Sequence, residues 1–85
     1  MSEIKQRQAV DRAARAEALL NDPLIIEAFE TLDKEFVSAW KESAIADHQS
    51  REHIYQLLQA LEALKGHFAK VLEDGKLAKE RLKFN

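Results

Sequence analysis

His48, His53 and His67 are the chain's only side chains that ordinarily titrate near neutrality, and His48 with Glu52 has the four-residue spacing that sets two ligands on one helical face. His53 lies five residues from His48, about 140° around a helix, and so points elsewhere. No third ligand is evident in sequence. The expectation is therefore no metal and no cofactor, with His48 and Glu52 a solvated pair at the start of a helix. Nucleophilic chemistry has as little to work with: cysteine is absent, hydroxyl residues are sparse, and no glycine-rich loop exists to hold a phosphate. Glu27, Glu30, Glu35 and Glu42 recur as a solvated helical face does and need no catalytic role. The chain reads as non-enzymatic.

Charge offers a different chemistry. Lys5, Arg12 and Arg15 fall at intervals of seven and three along one helical face, and Lys76, Lys79, Arg81 and Lys83 crowd the end of the chain. Such stripes can touch phosphates. Acids are interspersed, however, no helix-turn-helix spacing is present, and cations at a helix C-terminus complement its dipole in any case. Nucleic acid is not the favoured partner.

The elements that must position these groups are helices. With 85 residues the chain has length for one domain, residues 1–85, and with two glycines, one proline and few β-branched residues it has little from which to build strands. Asn21, Asp22 and Pro23 form a break and a start signal: the aspartate caps, and proline at the first helical position lacks an N–H that would go unused. A second break falls around 43–50, where Asp47 or Ser50 can cap a third helix. Helices are predicted near 3–20, near 23–45, and from about 48 to the low eighties.

In the second helix Ile25, Phe29, Leu32, Phe36 and Ala39 follow a 4-3-4-3 spacing, widened by Ile26 and Trp40. In the third, Ile54, Leu61, Phe68, Gly75 and Leu82 occupy one heptad register and Leu57, Leu64, Val71 and Ala78 the other; Leu58 and Leu72 broaden this uncharged seam. Gly75 either ends the helix as a left-handed cap or lets a partner helix come close. Trp40 and Tyr55 flank the second break and are expected to clasp across the corner with their polar tips in water. The fold class is thus all-α: three helices, an antiparallel hairpin of the second and third packed like a coiled coil, with an N-terminal helix.

A helix over 48–83 would be about 50 Å long and its neighbour about 35 Å, so one hairpin leaves part of the seam bare. The first helix could fold over the remainder, but its larger apolar residues are only Ile4, Val10, Leu19 and Leu20. The expected remedy is a second copy. The seam residues assigned to self-association are Leu61, Leu64, Phe68, Val71, Leu72 and Leu82. Glu27, Glu30, Glu35, Trp40 and Tyr55 are assigned to a protein partner. The net charge of −2 hides an acidic middle, −6 over 22–64, between weakly basic ends, an arrangement suited to antiparallel self-association. The expected state is a homo-oligomer of even number.

The first twenty residues alternate charge and alanine with no apolar stretch of the length of a secretory signal. No run approaches the ~18 apolar residues of a membrane span. With mean hydropathy −0.42 and no cystine, the expectation is a soluble protein of a reducing cytoplasm, with no membrane partner.

The segments 19–40 and 51–79, with Asn21-Asp22-Pro23, Trp40, Arg51-Glu52 and Glu73-Asp74-Gly75-Lys76-Leu77, resemble small helical proteins of tailed bacteriophages and prophages encoded near head or DNA-packaging genes. The resemblance implies a setting in the host cytoplasm or the virion and carries no catalytic or ligand residue. The function expected is a phage-encoded helical protein that associates with itself and binds another virion or packaging component. Two alternatives stand beside it: a small inhibitor whose acidic helix occupies a basic, nucleic-acid-binding surface of a host protein, and a DNA-binding accessory factor.

Overall fold

The structure, a computed structural model, describes residues 2–84. Three helices account for nearly all of them: α1 (Glu3–Leu20), α2 (Pro23–Glu42) and α3 (His48–Lys83). Each begins on a side-chain cap. Ser2 Oγ accepts from the Lys5 N–H, Asp22 Oδ1 from Leu24, and Asp47 Oδ1 from Ser50, each satisfying a donor that a helix start leaves free. The last turn of α1 closes through the N–H groups of Asn21 and Asp22, which donate to the Glu17 and Leu19 carbonyls. Pro23 then opens α2. The second helix stops at Glu42, short of the expected 45, because Ser43 turns to an extended conformation.

The chain folds as a long hairpin with one broken arm. Along α2, Phe29 meets Phe68, Asp33 meets Lys65, and Trp40 meets Arg51. Along α1, Lys5 lies near Arg81, Ala13 against Gly75, and Arg15 near His67. Numbers rise on one side as they fall on the other, so both helices run antiparallel to α3. They follow one another along it, α1 on its C-terminal half and α2 on its N-terminal half, and scarcely touch each other.

The result is a plank of 60 × 26 × 14 Å, one helix thick. Its radius of gyration is 18.0 Å, against about 12 Å for a compact globule of this length. In a single layer only the seam is shielded on all sides, and among the described residues the buried apolar ones number four: Ala16, Leu61, Val71 and Ala78. None belongs to α2, whose stripe residues Ile25, Phe29 and Phe36 are half-buried.

α3 runs unbroken through Gly75, which has no positive φ and so is not a left-handed cap. Its role is close approach. A Cβ placed there would overlap the Ala13 Cβ and stand 3.1 Å from the Ala9 carbonyl oxygen. The backbone of α3 thus lies directly on α1, whose alanines take the place of larger side chains. This corrects the expectation of a bare C-terminal seam. The strip around and past Gly75 is covered from within the chain: Val71 is 9% and Ala78 3% exposed, and Leu72 and Leu82 are half-buried. The alanine-rich helix that looked too poor in large residues succeeds because it packs close. The seam also holds Gln6, 5% exposed, whose Oε1 has no partner among the described residues.

Gly75→Ala should cost about 1–3 kcal/mol in urea unfolding, since overpacking outweighs the gain in helix propensity. Gly66→Ala, where a Cβ meets nothing within 4 Å, should instead stabilise by about 1 kcal/mol. Leu61→Ala, deep in the seam, should cost about 2–4 kcal/mol by the same measurement.

Candidate interaction surface

The corner between α2 and α3 is held by a clasp that the sequence pattern assigned to another pair. The Arg51 guanidinium lies 4.1 Å from the centroid of the Trp40 ring. Its Nη1 donates to Ser43 Oγ at 2.9 Å and reaches the Ser43 and Trp40 carbonyl oxygens at 3.4 Å. Ser43 Oγ in turn donates to the Trp40 carbonyl at 2.6 Å. A cation from the first turn of α3 therefore neutralises the C-terminal end of α2, where carbonyls lack partners and the helix dipole is negative. Tyr55, expected opposite Trp40, is instead 56% exposed. The signal for Arg51 was present in its type: a guanidinium soon after a tight turn can cap and stack at once.

On either side of the seam the plank has two unlike faces. In an antiparallel pair, flanks of the same rotational sense come to the same side. The helical wheels then place Leu32 and Ala39 of α2 beside Leu57, Ala60 and Leu64 of α3 on one face, and Ile26, Val37 and Trp40 beside Arg51, Tyr55 and Lys65 on the other. On the first face α3 carries no carboxylate, ammonium or guanidinium from Gln49 to His67. Of the four charged residues of that stretch, Arg51, Glu62 and Lys65 leave on the opposite side, and Glu52 stands at the outer edge, where it lines a shallow cleft with Gln49, His53 and Gln56. α2 behaves similarly: Glu27, Glu30, Lys34 and Lys41 project away, and Glu35 and Glu42 stand at the outer edge of the uncharged face.

Along the plank the uncharged face passes into a basic one. Arg12 and Arg15 line a shallow cleft with His67 and Val71, and Lys5 and Arg81 line the next with Gln6 and Asp74. The half built from α1 and the end of α3 holds nine cations and six acids. The half built from residues 22–65 holds nine acids against Lys34, Lys41, Arg51 and Lys65.

The residues assigned to self-association separate on this framework. Leu61 and Val71 are buried in the seam, and Phe68 sits edge-on to Phe29 with centroids 6.4 Å apart. Leu72 and Leu82 are half-buried under α1, and Leu64 alone is largely free, 47% exposed. Among the partner-binding candidates, Glu27, Glu30 and Glu35 are exposed and Trp40 is half-covered by Arg51. No three metal-ligating side chains converge among the described residues, and no helix is long and apolar enough to cross a membrane. Compared with protein-family models, curated proteins and solved structures, the chain matches none.

Arg51→Lys keeps the charge but loses the fork that spans Ser43 and the stacking plane. It should lower stability by about 1 kcal/mol, read as an earlier urea midpoint with an unchanged slope.

Proposed function

We propose that this chain is a non-enzymatic association module, which assembles with itself and attaches to another protein. The observation that carries this reading is α2, whose strong apolar stripe buries no residue within the chain. Leu32, Val37, Leu64 and Tyr55 remain in water on a hairpin that has spent its shielding capacity on one seam. A helix packed on one side only is half of a bundle, and a second pair of helices completes it. The resemblance to small helical proteins of tailed phages supplies the setting proposed for the second partner, a component of the virion or its packaging apparatus.

A second reading draws on the far flank of α2, where Glu27 and Glu30 stand exposed beside Val37. That flank suits an inhibitor held against a basic surface of a host protein.

Sedimentation equilibrium at micromolar concentration should report an even-numbered oligomer, and Leu32→Glu should return it to 9.7 kDa without loss of helix by circular dichroism. A wild-type chain that sediments as monomer throughout would sink self-assembly. Val71→Glu does not serve this purpose, because Val71 lies between α1 and α3 and its replacement unfolds the seam.

A further inference from the structure

The geometry points to a second copy of this chain seated on the uncharged face of α2 and α3, antiparallel to the first and centred near Ala60. This inference rests on the association reading above and specifies its surface and orientation.

Composition sets this face apart. About one residue in three of the chain is charged, yet the flank of α3 running through His53, Leu57, Ala60, Leu64 and His67 has no formal charge between Gln49 and His67, Glu52 standing at its outer margin. Depletion of charge marks the centre of protein interfaces, while an ordinary solvated flank has no reason to exclude it. The opposite face also exposes apolar groups, Ile26, Val37 and Trp40, but intersperses them with Glu30, Lys41, Arg51 and Lys65, and its tryptophan already lies under a guanidinium. That face exposes more large apolar side chains, Tyr55 among them, but breaks them up with charge.

Shape and area also suit a second copy. On the uncharged face large side chains, Leu32, Leu57 and Leu64, alternate with alanines at 28, 39, 60 and 63, so ridges on one copy meet grooves on another at a short interaxial distance. Gln49 to His67 spans about 27 Å. Two helices side by side then offer roughly 500 Å² per copy, and about 1,000 Å² for the pair, the lower range of a specific interface. A surface that complements itself under a two-fold axis is what a second copy requires.

Charge decides between the two ways of laying one plank on another. A parallel arrangement stacks Arg12, Arg15, Lys5 and Arg81 on their own images, which is repulsive. An antiparallel arrangement about Ala60 overlaps the two copies from the 42–47 loop to about residue 73 and sends Lys5, Lys79, Arg81 and Lys83 out at opposite ends. It also brings opposites together. Glu52 lies eight residues from Ala60 in one direction and the 42–47 loop thirteen or more; the Arg12–Arg15 cleft, over His67 to Val71, lies seven to eleven residues in the other. The partner's Glu52 therefore arrives at the level of the Arg12–Arg15 cleft, with its Glu42 and Asp47 just beyond.

Because the chain has no cysteine, a single introduced thiol reports the contact. Ala60→Cys should give a disulfide-linked dimer on oxidation, and a crosslinked one with a short bismaleimide. Ala69→Cys, exposed on the charged face, should give neither. In solution scattering the wild-type particle should lengthen from 60 Å to about 76 Å, because Ala60 lies about 8 Å from the middle of α3 and the two copies are offset by twice that. Arg12→Glu with Arg15→Glu should weaken the dimer, and added salt should do the same to the wild type. Crosslinking at Ala69 but not Ala60, or a particle that stays 60 Å long while its mass doubles, overturns this face and this orientation and leaves self-association standing. A monomer that yields no crosslink at either thiol overturns both.

Discussion

A layer one helix thick can hide a line of side chains but not a volume. That geometric limit governs the molecule: two arms in contact shield the seam between them, and every other side chain faces water on one of two broad surfaces. The shortage of buried residues follows directly, and so does the presence of two broad surfaces, which the sequence then makes unlike in charge. A chain of this length has roughly enough apolar area to reach stability only if little is wasted. Side chains left bare on a plank are therefore informative in a way that scattered exposed leucines on a globule are not.

The two halves of the seam meet that limit by different means. Along α1 the solution is proximity: Ala9, Ala13 and Ala16 against Gly75 and Ala78 bring the two backbones together, so that many small contacts replace a few large ones. Along α2 the solution is bulk, with Phe29 against Phe68 and Leu61 filling the gap between helices held farther apart. Close backbones leave little side-chain surface in water. Spaced backbones leave a good deal, which is why the incompletely covered residues gather at one end of the plank.

Helix number, type and most boundaries were legible in the sequence, since Asp22, Pro23 and Asp47 are local signals and capping is decided within a turn. The heptad of α3 was equally legible, and its nine positions do line the arm's inner side or its margin. The partner of that heptad was not. Counting large apolar residues undervalues a helix such as α1, because the benefit of alanine depends on a glycine opposite it sixty residues away, and no periodicity within either segment records that pairing. The Trp40 clasp failed as a reading for a related reason: aromatic character suggested an aromatic partner, whereas the deciding need was to satisfy carbonyls at the end of α2, which only a donor such as Arg51 can do.

The break at Asn21–Asp22 gives the unbroken α3 two different companions, and the two ends of one continuous helix therefore need not open together. Amide hydrogens in the half held by α1, where carbonyls and N–H groups lie under a close-packed backbone, exchange with solvent only when that packing is undone. Those opposite α2 are guarded by larger, half-wet side chains and open at lower cost. A single rod thus carries a gradient of local stability along its length, steep near Phe68, where one companion hands over to the other.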